Sequence, residues 1–406
     1  MRSERISRLL WALFALVCAV LVLKFFVADA YRITSGSMRP TLFGGAIRPG
    51  EQPFDEWVLV RYRSGVVPNR FDLVVVDREG AHPVVKRVVA LPGETVRILD
   101  GDLLIDGERL PPTAPRPAPI VVFDDELQTV EDYFDWQGEH DPPRWRHDGL
   151  VWTLDAKDVP QGSNAGMMLY HRELRDDYID PEGRRVVGRR TVNDGILECE
   201  FSTRARGGRL RFELVEKGDT FEARIEESKS EGASAHVLRI VRRSPSLKGR
   251  EKVLAETKVQ IEPLRWSAIR FANIDNTLSV TLDGALVLRA SYERNEPHPL
   301  APEAGDQSIG PRVGFGGEGL RARFRHIRVL RDLHYTAAGD PRNAVKAPLR
   351  LGPDEVFVLG DNSRVSNDSR HFGPVRISDL IGRPVAVVWP FARMRRLRAV
   401  VSTAGE

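Results

Sequence analysis

The chain reads as a mainly β protein: an N-terminal transmembrane helix, an antiparallel β-rich domain, and a β-sandwich (jelly-roll) domain inserted into it. Three observations lead there. Only one run, Leu9 to Val27, is long and apolar, broken by Lys24 alone. Elsewhere apolar residues alternate or cluster in short Val-rich stretches, the pattern of strands, with no convincing helix. A Pro-rich stretch, Pro111 to Pro119 (PPTAPRPAP), is stiff and extended, and it separates two regions of different character.

Size and composition frame this reading. At 406 residues the chain exceeds one ordinary core. Its 42% hydrophobic and 29% charged residues are those of a globular protein. A net charge of +3, from 60 basic and 57 acidic residues, lacks the basic excess of a nucleic-acid binder. Cys18 lies in the apolar run and Cys199 in a charged, strand-like stretch. Two cysteines so placed make no disulfide framework or metal site.

The 19 residues from Leu9 to Val27, at about 1.5 Å each, nearly match a hydrocarbon core of about 30 Å. Lys24 can snorkel to the interface. Arg2, Arg5 and Arg8 place the N-terminus in the cytoplasm and everything after residue 30 outside. A cleaved secretory signal is the rival reading, because Ala28-Asp29-Ala30 has the A-x-A pattern of a cleavage site. The length of the run and the bulky Phe25 and Phe26 favour a retained anchor.

Directly after the run comes SGSMRPTL, Ser35 to Leu42. Gly36 permits a sharp turn that presents the Ser37 hydroxyl, and Pro40 biases Arg39 toward extended backbone. Ser37 is a candidate nucleophile that needs a base. Glu56–Arg63 and Phe71–Asp77 are strand-like, with turn signals at Ser64-Gly65 and Pro68-Asn69. Pro83–Ala90 (PVVKRVVA) follows, with Lys86 among valines. Desolvation there favours the neutral amine, which is able to take a proton from a serine. An isolated VVKRVV would instead be an amphipathic strand with Lys86 pointing outward. Turns at Asp100-Gly101 and Asp106-Gly107 enclose the short strand Leu103–Ile105.

Beyond the Pro-rich stretch, Trp136, Trp145 and Trp152 precede a series of short strands: Ile196–Phe201, Leu210–Val215, Phe221–Ile225, Val237–Val241 and Phe324–Val329. Leu278–Leu282, Asp283-Gly284 and Leu286–Leu288 form a two-residue hairpin with one apolar face. Together they predict an antiparallel sandwich. Gly314, Gly316, Gly317 and Gly319 open no helix, so they read as strand-end turns, not a phosphate loop. This region resembles the laminin-G/concanavalin-like jelly rolls in WSAIRFANIDNTLSVTLDG and GFGGEGLRARFRHIRVL.

The chain then returns through Val356–Leu359 to the polar loop GDNSRVSNDSR, Gly360 to Arg370, and a last strand IGRPVAVVWPF, Ile381 to Phe391. Trp389 and Phe391 beside Arg393, Arg395, Arg396 and Arg398 suit a membrane interface, and equally an exposed basic tail.

Behind an apolar anchor, three blocks in order (SGSMRPTL, FDLVVVDREGAHPVVKRVVALPGE and GDNSRVSNDSR) resemble bacterial type I signal peptidase, the Ser-Lys leader peptidase family. The resemblance covers residues 1–110 and about 346–392. It implies Ser37 as acylating nucleophile and Lys86 as general base. The Ser37 backbone N–H and the Ser35 hydroxyl would form the oxyanion hole. Ser366 would orient the amine, Asp368 and Arg370 would form a supporting ion pair, and Gly360 and Asp361 would shape the loop. Tyr31, Ile33, Leu42 and Val85 fall where the family lines its substrate pockets. Ser363-Arg364-Val365 departs from residues common elsewhere in the family.

The expected organisation is a cytoplasmic N-terminus (1–8), a transmembrane helix (9–28), a discontinuous signal peptidase catalytic domain (29–119 and 336–406) and an inserted laminin-G/concanavalin-like β-sandwich (120–335). Expected partners are preprotein signal peptides, the lipid bilayer and a glycan or protein ligand of the sandwich, with no nucleic acid, cofactor or metal. The expected location is the plasma (inner) membrane, single-pass, with the catalytic domain extracytoplasmic. His82 and His371 match no family position and read as surface residues; His140, His147 and His171 are too scattered for zinc. The alternatives are a Ser-Lys protease with another target, and a binding protein that uses the sandwich beside an inactive peptidase half.

Overall fold

The computed structural model describes residues 11, 14, 28–62, 65–78, 80–99, 101–136, 144–149, 151–203, 207–227, 235–247, 250–293, 312–336 and 342–397. The expected membrane anchor apart from residues 11, 14 and 28, with its arginine cluster and Cys18, lies outside the described residues, as do His140 and Arg398. Among the described residues no helix is long and apolar enough to cross a membrane. The strand after the apolar run begins at Ala28, so the Ala28-Asp29-Ala30 stretch lies in a sheet, paired with Leu59 to Arg61.

The chain divides into two compact units, residues 1–117 with 334–403, and residues 118–333. Both are built from antiparallel sheets. In the first unit the eight-stranded sheet runs in the order Ala28–Arg32, Trp57–Tyr62, Leu380–Trp389, Leu73–Arg78, Ala81–Ala90, Glu355–Leu359 and Val375–Arg376, with Arg395–Arg396 alongside Leu380–Trp389. The Val-rich runs arise because this sheet is covered on both faces. Leu73, Val75 and Val85 join Val58, Val60, Ile33, Met38 and Leu42 in one core, while Val74, Val76 and Val88 join Val356 and Val358 in another. Leu349–Arg350, Thr95–Leu99, Asp102–Ile105 and Glu108–Arg109 make a smaller sheet.

The second unit packs two antiparallel sheets around one core. Alternate residues of Gly195–Thr203 (Leu197, Cys199, Phe201) meet alternate residues of Arg209–Glu216 (Leu210, Phe212, Leu214) and Asp219–Glu227 (Phe221, Ala223, Ile225). The predicted hairpin joins Thr277–Leu282 to Ala285–Ser291, with Asp283 and Gly284 both at positive φ, 48° and 84°, as a type I′ turn requires. The glycine-rich stretch is not a strand-end turn. Gly314, Gly316 and Gly317 lie inside the strand Arg312–Glu318. A Cβ on Gly316 would come within 2.1 Å of the Gly166 carbonyl oxygen, and one on Gly314 within 2.5 Å of Leu169 Cδ2. Only Gly319, at φ 69°, belongs to a turn.

Candidate active site

The site lies in the first unit, where three segments far apart in sequence converge. The first is a one-turn 3₁₀ helix, Gly36–Met38, flanked by Ser35 and Arg39 in extended backbone. Arg39 holds its shape from below: its guanidinium is buried and donates to the carbonyls of Gly44 (2.5 Å), Gly45 (3.0 Å) and Ala46 (2.9 Å). Gly36 is required here, because a Cβ would sit 2.8 Å from Arg39 Cζ.

The second segment is the strand Ala81–Ala90, in which Lys86 lies opposite Val74. Alternation sends Lys86 and Arg87 to opposite faces of the sheet. Lys86 is 2% exposed, and its Nζ donates to Ser37 Oγ at 2.8 Å and to Ser366 Oγ at 3.2 Å. Burial lowers its pKa from 10.5 to about 8, outweighing the pull of Asp368 and Asp361 in the other direction. Arg87 is also buried and pairs with Asp361, Nε to Oδ1 at 2.7 Å and Nη2 to Oδ2 at 2.5 Å, while donating to the Phe71 carbonyl. Thr41 completes that contact with a hydrogen bond to Asp361. The one strand therefore carries an unpaired cation and a paired one at successive positions.

The third segment is the loop after Glu355–Leu359. Gly360 lets it approach Ser37: a Cβ there would lie 2.2 Å from Ser366 Oγ and 2.5 Å from the Ser37 carbonyl oxygen. Asp368 accepts from the Gly360 N–H at 3.0 Å and from Arg370 Nε at 2.8 Å and Nη2 at 2.7 Å, and the Ser366 side chain adds to the pull that keeps it charged. Burial alone would raise the Asp368 pKa; these donors reverse that, Arg370 most strongly, and it is lowered. Ser363 joins the same fabric. Its Oγ accepts from Arg370 Nη1 (2.5 Å) and from the Thr336 N–H (2.8 Å), while Arg370 Nη1 also donates to the Thr336 carbonyl.

The structure thus brings together Ser35, Ser37, Lys86, Ser366, Asp368, Arg370, Gly360 and Asp361. Ser35 Oγ lies 3.2 Å from Ser37 Oγ. Tyr31, Ile33, Leu42 and Val85 share one apolar cluster with Met38, in which Leu42 has no exposed surface and Tyr31 is half-buried. His82 is exposed. His371 is half-buried, its Nδ1 4.0 Å from Asp368 Oδ1. Arg393 and Arg395 are not a free basic tail. Both bind the buried Glu56 carboxylate, each at 2.8 Å, and Arg395 also donates to the Thr41 carbonyl at 2.9 Å. Burial would raise the Glu56 pKa, yet these arginines and the Phe43 N–H hold it low.

Sequence reasoning missed the parts played by Arg87, Thr41, Glu56, Thr336 and Asn362. Their partners lie as far as 339 positions away, and no local pattern announces them. Arg87 alone carried a signal, since a second cation in a Val-rich strand also needs a partner.

Two curated relatives named signal peptidase I share local similarity with this chain. The Bacillus caldolyticus protein is 29% identical over 117 residues, covering 29% of this chain and 60% of that protein. The one from Buchnera aphidicola subsp. Acyrthosiphon pisum (strain APS) is 30% identical over 93 residues, covering 21% and 29%. The chain therefore spans less than two thirds of the length of either. Among solved structures, the carbohydrate binding module CBM66 from Bacillus subtilis is 12% identical and covers 46% of this chain and 90% of its own, at a TM-score of 0.29. A superposition at that level carries no argument about fold or ligand. The family described as signal peptidase, peptidase S26, matches residues 6–163 and 325–389, more than half of the chain and all three segments of the site, so this chain is a member of that family.

Proposed function

We propose that this protein is a membrane-anchored serine endopeptidase that removes signal peptides from exported preproteins, with Ser37 as nucleophile and Lys86 as general base. The observation that carries the reading is the 2.8 Å contact between a buried lysine amine and a serine hydroxyl, in surroundings that lower the amine's pKa to about 8. A neutral amine has one lone pair and two N–H bonds, and the site directs the lone pair and one N–H. One N–H points to Ser366 Oγ, and the Ser366 side chain in turn favours the charged form of Asp368. The lone pair is then free to receive the Ser37 proton. As Ser37 Oγ bonds to the scissile carbonyl carbon, its proton passes to Nζ. The oxyanion is held by the Ser37 N–H and the Ser35 hydroxyl. The resulting ammonium returns the proton to the departing amine, leaving an ester on Ser37. Water, activated by the same lysine, hydrolyses that ester.

Asp368 and Arg370 fix Ser366, and Arg87 with Asp361 ties the closing loop to the strand that bears the base. Tyr31, Ile33, Leu42 and Val85 supply the apolar ground for small residues of the substrate, with Leu42 backing the site from behind. The residues of the Leu9–Val27 run anchor the enzyme with its N-terminus in the cytoplasm and its catalytic domain, 29–119 and 336–406, outside. The inserted domain, 120–335, holds a glycan or protein ligand. The test is preprotein cleavage by membranes carrying wild type, Ser37→Ala or Lys86→Ala in a host whose own signal peptidase is depleted. Loss of cleavage is expected for both variants; unimpaired cleavage by either ends the proposal.

A further inference from the structure

We infer that Asn362 is a positioning residue for the reaction: it fixes the direction in which the Ser37 N–H points, and so aims the backbone donor of the oxyanion hole. The inference rests on the serine peptidase reading above. Asn362 touches the nucleophile turn twice. Its side-chain Nδ2 donates to the Gly36 carbonyl at 3.0 Å, and its backbone N–H donates to the Ser37 carbonyl at 3.0 Å.

The consequence follows from peptide planarity. The Gly36–Ser37 bond is not among the cis peptides of the described residues. In a trans peptide the carbonyl and the next N–H lie in one plane and point in opposite directions. Holding the Gly36 oxygen toward Asn362 therefore turns the Ser37 N–H to the far side of that plane. The second contact does the same for the peptide between Ser37 and Met38. Ser37 also lies in the first turn of its 3₁₀ helix, where backbone N–H groups have no partner within the helix.

This turn needs such a clamp. Gly36 is imposed by the guanidinium of Arg39, which leaves no room for a Cβ. A glycine is also the residue whose flanking peptide planes rotate most freely. The Arg39 N–H reaches the Gly36 oxygen only at 3.3 Å, a weaker hold than the 3.0 Å bond from Asn362. Gly360 makes the clamp reachable, because any side chain there would collide with the Ser37 carbonyl oxygen.

The test uses the full chain in detergent with a signal-peptide substrate, comparing wild type, Asn362→Ala, Asn362→Leu and Ser37→Ala. Asn362→Leu keeps the volume and the backbone bond to Ser37 while removing the Nδ2 donor without adding charge near Lys86, so it answers the question even if Asn362→Ala fails to fold. Removing one oxyanion donor outright costs about 10²–10³ in kcat, so misaiming one is expected to lower kcat by about 10- to 100-fold. KM and the midpoint of the pH profile should stay put, since neither substrate contacts nor Lys86 are touched. A kcat within about twofold of wild type for the folded variants overturns the inference. So does a loss that appears in KM or in a moved pH midpoint. Ser37→Ala separates the two levels: if it is inactive while the Asn362 variants are fully active, only the role of Asn362 falls. If Ser37→Ala cleaves like wild type, the peptidase reading and this inference fall together.

Discussion

The two units differ in how one buried cation is treated. In the second unit, the buried arginines Arg211 and Arg224 are matched by carboxylates. Arg211, 1% exposed, binds Glu222 through Nε and Nη2, at 3.2 and 3.0 Å, and also lies 3.6 Å from Glu318. Arg224 binds both Glu222 and Glu251, and Arg243 reaches the same two carboxylates. In the first unit Lys86 is buried as deeply, yet among the described residues no carboxylate lies within ion-pair distance of it. The acids nearby are already engaged, Asp361 by Arg87 and Asp368 by Arg370. Desolvation costs several kcal/mol per ion unless a partner offsets it. Arg39 is likewise buried without a carboxylate, but three backbone carbonyls take up its guanidinium; Lys86 has only two serine hydroxyls, as the proposed general base requires.

The contrast can be broken most severely at the lysine. Lys86→Met, which keeps length and removes the amine, is expected to lower preprotein cleavage by about 10³-fold or more, the scale of a lost general base with its nucleophile unactivated. The same substitution should stabilise the first unit. Lowering the pKa from 10.5 to about 8 corresponds to a cost of roughly 3 kcal/mol. That cost is fully present below pH 8, where folded and unfolded states both hold the proton. It is relieved between pH 8 and 10.5, where only the unfolded state does. Denaturant titrations of wild type and Lys86→Met should therefore differ most below pH 8 and converge toward pH 10.5.

The second unit should respond in the reverse sense. Glu222→Gln leaves Arg211 and Arg224 buried and short of a counter-charge, which is expected to destabilise that unit by about 3–5 kcal/mol. Calorimetry reads the loss. Cleavage assayed below the lowered transition should stay within about twofold of wild type, because no partner of Glu222 belongs to the peptidase site.

A milder perturbation is pH. If the neutral amine is the base, kcat/KM rises about tenfold per unit below pH 8 and levels off above it. The smallest effect is expected at His82, which is exposed; His82→Ala should change stability by less than about 0.5 kcal/mol and leave that profile unmoved.

Much of this was readable from residue order. Alternation in Leu278–Leu282 and the Asp283-Gly284 dipeptide specify a hairpin by themselves, and valines in unbroken runs mark a sheet covered on both faces. The three blocks of the site were readable because each is dense in residues with narrow chemical uses. What stayed hidden depends on distance. Arg393 and Arg395 look like a free basic tail until the fold sets Glu56 beside them. Gly314, Gly316 and Gly317 look like turn residues until the neighbouring strand shows why nothing larger fits. Asn362 is an ordinary loop amide until the Gly36 carbonyl is brought against it.

The central claim is that Lys86 is held as a poised, unpaired amine. It is tested most directly by following the Lys86 ¹⁵Nζ resonance of the folded protein through a pH titration, assigned by its absence in Lys86→Met. A midpoint near 8 is the predicted result. A midpoint near the ordinary 10.5 would contradict it.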